Sequence, residues 1–138
     1  MNNRPAAVPL VTVDPFFSIW SSSDCLYETN PVHWCGESQK IKGALLIDGK
    51  RYAFLGEAMR YPVITQKAID VTATATEYTF ENEKVSLKCR FTSPLLLDDM
   101  ALVSRPCTYI DFEVEKKDAN RIKTITKKIR YNFYICNS

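Results

Sequence analysis

Two cysteines and the single histidine are the side chains of this sequence best suited to metal binding or nucleophilic chemistry. Cys25, His33 and Cys35 lie close together along the chain and offer sulfur and imidazole donors, which transition metals bind. Their spacing matches no established zinc pattern and no fourth ligand accompanies them, so we predict no metal site and no cofactor. A Cys–His nucleophilic pair built from the same residues lacks an Asn or Asp that the spacing would identify as its orienting partner. We therefore assign no catalytic residue.

Two adjacent carboxylates, Asp98 and Asp99, are further candidates, because paired carboxylates can act as general acid and base. On a strand, neighbouring side chains point to opposite faces, and in a turn Asp commonly accepts hydrogen bonds from backbone N–H groups. We interpret the pair as a turn or capping element. An independent small enzyme that uses Asp98 or His33 is a further, less favoured interpretation.

A third set consists of the aromatic residues Trp20, Trp34 and Tyr27, whose rings could stack on the faces of a sugar. Aromatic side chains more commonly fill cores and domain interfaces, where each buries about 150–250 Å². We favour packing and keep a glycan-binding platform formed by these three rings as the alternative. The four glycines of the chain form no phosphate-binding loop.

The composition is that of an ordinary globular domain. Of the 138 residues, 46% are hydrophobic, and 18 Lys and Arg against 16 Asp and Glu give a formal net charge of +2. This near balance argues against nucleic acid or an anionic membrane as a partner, because both demand a clustered basic excess. No apolar run approaches the roughly 20 residues of a membrane-spanning helix. The length predicts one domain. The odd cysteine count of five leaves at least one thiol outside any intramolecular disulfide.

The elements that position these side chains are predicted by alternation of apolar and polar residues with a period of two, which is typical of strands with one buried face. Asp48-Gly49 predicts a hairpin between 44–47 and 52–55, since both residues readily adopt the positive φ angles of a type I′ turn. A second hairpin is predicted around 81–83, and the second strand of that hairpin carries a core-facing row formed by Val85, Leu87, Cys89 and Phe91.

Two further alternating runs, 69–76 and 109–114, are predicted to join the same sheet system. Prolines lie between the runs, where a missing N–H disturbs the ladder least. Many short strands separated by turn signals predict an all-β fold, an antiparallel β-sandwich or part of one. The one exception is a short helical turn predicted near 95–102, confined between Pro94 and Pro106.

The composition changes near residue 119, so we divide the chain into an N-terminal β domain, 1–118, and a basic C-terminal tail, 119–138. No acidic residue follows Asp118, and the tail carries Arg121, Lys123, Lys127, Lys128 and Arg130. We interpret the tail as a solvated strand or frayed terminus rather than a nucleic-acid-binding arm. The alternation of Ile129, Tyr131, Phe133 and Ile135 leaves a last strand open.

The opening run from Arg4 to Ser21 reads RPAAVPLVTVDPFFSIWS. It resembles the start of the sequences of the glutaminase A family of fungi and Bacteroidetes. Matches follow in order at 32–36 (VHW, then Gly36), 46–54 (LIDGK, then Tyr52 and Phe54), 78–80 (YTF) and 104–109 (SRPCTY). The resemblance extends from about Arg4 to Val114.

The resemblance implies that this chain is the first, β-rich part of a longer protein that hydrolyses glutamine to glutamate and ammonia. Its implied partner is the missing C-terminal catalytic domain of that parent, for which the chain would be a non-catalytic scaffold. The alternative is a carbohydrate-binding β-sandwich module of a glycoside-hydrolase-like protein. The resemblance also implies an extracellular or periplasmic protein, although residues 1–5 show no secretory signal peptide.

The sequence 120–138 does not resemble the family's continuation, so we expect a truncated or frame-shifted end. A sandwich needs both of its inner faces. With strands missing, Leu87, Phe91 and Phe112 would lie exposed, and we expect the chain to form homo-oligomers through exposed strands.

Overall fold

Strands dominate the computed structural model, which describes residues 5–94, 98–103, 108–117 and 131–132. Within these ranges the elements are β1 (Val8–Asp14), β2 (Phe17–Ser21), β3 (Val32–His33), β4 (Gly43–Ile47), β5 (Lys50–Leu55), β6 (Thr65–Val71), β7 (Ala75–Glu81), β8 (Val85–Thr92), α1 (Met100–Val103), β9 (Tyr109–Lys116) and β10 (Tyr131–Asn132).

The described strands form three antiparallel sheets. A three-stranded sheet has the order β1-β2-β3, a two-stranded sheet consists of β4 and β5, and a five-stranded sheet has the order β10-β9-β8-β7-β6. Buried side chains from all three sheets belong to one hydrophobic core. The prediction of an all-β, antiparallel, sandwich-like fold is confirmed.

The centre of the five-stranded sheet follows the predicted alternation. Along β8, the side chains of Val85, Leu87, Cys89 and Phe91 are buried, and those between them are half-buried or exposed. Leu87 pairs with Val114 of β9 and with Phe80 of β7. Leu87 and Phe91 are buried within this chain and Phe112 is half-buried, contrary to our expectation that all three would lie exposed.

The Asp48-Gly49 hairpin is confirmed by its backbone angles. Asp48 and Gly49 have φ values of 49° and 79°, and Ile47 pairs with Lys50 on either side of them. Such angles match the right-handed twist of the two strands. An exposed ion pair of 2.5 Å joins Asp48 to Lys84 at the β7–β8 turn. The pKa of Asp48 lies below its ordinary value because it accepts a hydrogen bond from Lys84.

The run 69–76 joins the five-stranded sheet as two strands rather than one. β6 ends at Val71 and β7 begins at Ala75, and Val71 pairs with Thr76 across a tight turn. Thr72 closes this turn, because its backbone N–H and its hydroxyl both donate to the carbonyl oxygen of Ala75, at 2.8 and 3.0 Å. Threonines favour such local side-chain-to-backbone hydrogen bonds, so the alternation of the sequence continues through a reversal of the chain.

The three-stranded sheet attaches to the five-stranded sheet through β1. The hydroxyl of Thr76 donates to the carbonyl oxygen of Pro9 at 2.7 Å, and the backbone N–H of Thr12 donates to the Ser93 hydroxyl at 3.1 Å. Where the sheets meet, an apolar cavity of about 60 Å³ remains, lined by Leu10, Val11, Phe17, Ile19, Pro31, Ile41, Leu55, Phe91, Thr108 and Ile110.

The predicted helical turn near 95–102 overlaps the four-residue helix α1, and residues 95–97 lie outside the described part of the chain. Asp99 caps α1, since its Oδ1 accepts a hydrogen bond from the N–H of Ala101 at 3.1 Å. In the tail 119–138 only β10 is described, and it pairs with β9. The division at residue 118 stays a prediction. No helix in the described part is long and apolar enough to cross a membrane.

Candidate functional site

A tight hairpin after β3 brings the histidine and a cysteine together. The N–H of His33 donates to the carbonyl oxygen of Glu37, and the N–H of Gly36 donates to the carbonyl oxygen of His33, each at 2.8 Å. The loop therefore contains three residues, Trp34, Cys35 and Gly36. Gly36 has a φ of 95°, a left-handed conformation that favours glycine and that three-residue hairpin loops require. We refer to His33, Trp34, Cys35 and Gly36 as the 33–36 turn.

The 33–36 turn places a thiol against an imidazole nitrogen. Cys35 Sγ lies 2.9 Å from His33 Nδ1, and the backbone N–H of Cys35 approaches the same Nδ1 at 3.3 Å. The backbone N–H of Cys35 can only donate, so this contact favours the tautomer in which Nδ1 is the acceptor and the ring proton lies on Nε2. The fold therefore brings Cys35 and His33 into contact. The sequence analysis considered this pair and assigned it no role.

Cys25, the third member of the predicted trio, has different neighbours. Its backbone N–H donates to Glu28 Oε2 at 3.0 Å, and its side chain forms a hydrogen bond with the Tyr27 hydroxyl. Burial, followed by this hydrogen bond with Cys25, raises the pKa of Tyr27 above its ordinary value. Among residues 5–94, 98–103, 108–117 and 131–132, no group of three or more His, Cys, Asp and Glu is arranged to hold a metal ion.

The three aromatic residues of the predicted glycan platform lie in different surroundings. Trp20 is half-buried on β2, and its Nε1 donates to the Ser18 hydroxyl at 2.7 Å. The ring of Tyr27 packs against the ring of Phe80 in the core, with 6.4 Å between centroids. Trp34 is 64% exposed. The ring contacts found within the described residues join none of the three to another.

Trp34 is fixed against the turn between β1 and β2. Its indole Nε1 donates to the carbonyl oxygen of Pro15 at 2.5 Å, and its ring lies 5.7 Å from the ring of His33. Phe16, the next residue after Pro15, is 83% exposed. Backbone hydrogen bonds and the side chain of Trp34 therefore fix the 33–36 turn. Cys35 is exposed within this turn.

A second surface, which the sequence analysis missed, lies in the connection between β5 and β6. Met59, Tyr61 and Val63 are 74%, 59% and 38% exposed, and we call these three residues the 59–63 strip. The strip is fixed to β5, because the N–H of Ala53 donates to the carbonyl oxygen of Pro62 at 2.8 Å. The alternation of large apolar residues at 59, 61 and 63 was the available signal, and the proline between them obscured it.

The connection between β2 and β3 is held to β6 by Gln66. Its Oε1 accepts from the N–H of Leu26 at 2.9 Å, and its Nε2 donates to the carbonyl oxygen of Asp24 at 3.1 Å. Leu26 is almost fully buried. This clamp fixes the segment from which β3 and the 33–36 turn follow.

Comparison with known proteins finds two family models and one curated relative. Residues 1–65 match a model described as a domain of unknown function (DUF4964), and residues 74–124 match a second one described as a domain of unknown function (DUF5127). Glutaminase A of Aspergillus oryzae is 28% identical over 123 residues. The match covers 83% of this chain and 18% of that relative. No solved structure matches.

Proposed function

We propose, from the premise that this chain is similar to the N-terminal region of a glutaminase A-like protein, that it is a β-sandwich support for a catalytic domain in the rest of a longer parent. The parent hydrolyses the side-chain amide of glutamine to glutamate and ammonia. The resemblance that the sequence carried between Arg4 and Val114 is confirmed by the curated match, which supports this assignment.

One structural observation favours a function as a support for another domain. The chain completes a core of its own and still presents the 59–63 strip to solvent. Beneath the strip, Ile64 is fully buried and its N–H donates to the carbonyl oxygen of Ala53 at 3.2 Å. A group of exposed large apolar side chains is typical of an interface, and the strip has three of them within five residues.

The occupant that we propose for the strip is the remainder of the parent polypeptide. The chain spans 18% of the length of the curated relative, so most of such a parent lies outside the sequence described. Burying Met59 and Tyr61 in that interface would contribute about 1.5–3 kcal/mol for each large side chain. The covalent link between the two parts supplies a high effective concentration, so a small interface suffices.

The experiment compares parent-length protein with and without the strip. Met59→Ser and Tyr61→Ser together should lower the temperature at which glutaminase activity is lost on heating. Met100→Ser, which removes a side chain that is 77% exposed on α1, is the matched control and should leave that temperature unchanged. Equal heat inactivation of the double variant and the wild type would contradict the proposed interface.

The isolated chain provides a second test of the 59–63 strip. With the strip uncovered, we expect the chain to self-associate as its concentration rises, and light scattering should show less association for the double serine variant than for Met100→Ser. A monomer at every concentration would contradict the expected self-association.

The carbohydrate-binding alternative makes a different prediction for the isolated chain. A platform of Trp20, Trp34 and Tyr27 would bind oligosaccharides, and Trp34→Ala would weaken that binding. The support function predicts no heat of binding for oligosaccharides or for glutamine in calorimetric titration. Saturable binding of an oligosaccharide that Trp34→Ala abolishes would favour the alternative.

A further inference from the structure

We propose that Cys35 is a reactive thiol that His33 assists and that forms mixed disulfides with low-molecular-weight disulfides. This modification site is independent of the support function, because it depends only on the 33–36 turn. The geometry that carries it is the 2.9 Å contact between Cys35 Sγ and His33 Nδ1, in a loop where the thiol is exposed.

The contact supplies the base that thiol chemistry requires. The thiolate, not the thiol, is the nucleophile in disulfide exchange. Nδ1 of His33 carries no proton while the N–H of Cys35 points at it from 3.3 Å, so it can accept the thiol proton. The resulting imidazolium lies beside the thiolate and stabilises its negative charge.

The exchange reaction balances without a further reactant. The sulfur of Cys35 attacks one sulfur of the small disulfide, a new S–S bond forms, and the original S–S bond breaks. The leaving thiolate takes the proton that His33 Nδ1 held. The products are Cys35 joined to one half of the reagent and one free small thiol, and no net oxidation occurs.

Within the described part of the chain, backbone hydrogen bonds and an aromatic side chain hold the pair together. Backbone hydrogen bonds from His33 to Glu37 and from Gly36 to His33 close the loop. The indole of Trp34 contacts the imidazole and is itself fixed to Pro15. Loop geometry and an aromatic neighbour take the place of the orienting Asn or Asp that the spacing of the sequence did not identify.

The other described cysteines lack one or both of these properties. Cys25 is half-buried, and its thiol contacts a phenol rather than an imidazole. Cys89 is completely buried in the core, and desolvation raises the pKa of its thiol far above the ordinary range. Cys35 therefore combines exposure with a base in contact, and Cys25 serves as an internal reference in the same molecule.

The test incubates the full chain with oxidised glutathione and follows each cysteine-containing peptide by mass spectrometry. We expect Cys35 to be modified about tenfold faster than Cys25, because Cys35 is exposed and an imidazole base contacts its sulfur. His33→Gln should slow modification of Cys35 about tenfold and leave Cys25 unchanged. Met100→Ser alters an exposed side chain outside the 33–36 turn and is the control, which should leave the rate at Cys35 unchanged.

Thermal unfolding of each variant checks that the fold is intact. If His33→Gln fails to fold, His33→Asn replaces it, because it also removes the base from Cys35. Equal rates at Cys35 and Cys25 in the wild type would overturn the proposal. So would an unchanged rate at Cys35 in folded His33→Gln.

Discussion

Replacing Val11 with isoleucine tests how the three sheets meet. Val11 is buried and lines the apolar cavity of about 60 Å³ at their junction. At about 24 cal/mol for each Å³ of cavity, filling that volume completely would be worth about 1.4 kcal/mol. One added methylene group contributes about 0.8 kcal/mol when buried, which is below that limit. We therefore expect Val11→Ile to raise the free energy of unfolding by about 0.8 kcal/mol.

Val8 provides the matched control for this substitution. It lies on the same strand, is fully buried, and does not line the cavity. Val8→Ile should overpack the core and lower the free energy of unfolding by about 1–3 kcal/mol.

Urea unfolding followed by tryptophan fluorescence measures both variants, and unchanged m-values confirm that only stability has changed. For a chain of this length, the gain from Val11→Ile corresponds to about 3 °C in Tm. A loss of stability in Val11→Ile equal to that in Val8→Ile would refute the reasoning, because it would show that the junction has no room for a methyl group.

Three further substitutions test the core and the clamp. Phe80→Ala should lower the free energy of unfolding, measured by urea unfolding, by about 4 kcal/mol, because this fully buried ring packs against three other aromatic rings. A loss below about 1 kcal/mol would contradict a central position of this ring in the core. Gln66→Ala should lower the free energy of unfolding by about 2 kcal/mol and speed proteolysis of the segment 22–31, since the buried N–H of Leu26 loses its acceptor. An unchanged cleavage rate would show that the hydrogen bonds of Gln66 are dispensable. Burial raises the pKa of Cys89, so the folded chain keeps a proton that the unfolded chain releases above about pH 8.5. The free energy of unfolding is therefore insensitive to this thiol below that pH and falls above it by up to about 1.4 kcal/mol per pH unit. Urea unfolding between about pH 7 and 10 in reducing buffer should show a shallower decline for Cys89→Ala, and equal declines would contradict the assignment.

The parts of the fold that sequence patterns predicted are those in which one face of a strand is buried and the other is not. β8 satisfies that condition, whereas residues 111–114 of β9 are half-buried on both faces. The Asp48-Gly49 turn was predictable because both residues readily adopt the positive φ angles that the hairpin requires. β1 and β2 were not predicted as strands. Register irregularities follow Pro9 and Thr12 in β1, and in β2 the consecutive residues 17–19 are all buried, so neither strand alternates.

The contact in the 33–36 turn could not be predicted from spacing alone. On an extended strand, Cys35 and His33 would lie on the same face with their side chains well separated along it. The contact requires the reversal at Gly36, whose φ of 95° is a property of the folded hairpin. The sequence did name both residues as candidates, because thiol and imidazole are the reactive groups of the chain.

The three rings of the glycan-platform alternative also could not be placed from the sequence, and that platform stays a prediction. The sequence indicated three rings and could not show which of them face solvent. The fold places Tyr27 against Phe80 and leaves Trp34 exposed, since the clamp by Gln66 turns the segment 24–27 toward the core. Which side of a loop an aromatic ring occupies depends on such long-range hydrogen bonds, which no local pattern encodes.

Ammonia release from glutamine by the purified chain is the most direct test of the support function. The account predicts that release stays at the rate of a protein-free blank, while parent-length protein that includes this segment releases ammonia. Steady turnover by the chain alone, retained through purification and lost on unfolding, would show that the β-sandwich is itself the catalyst and would contradict the central claim.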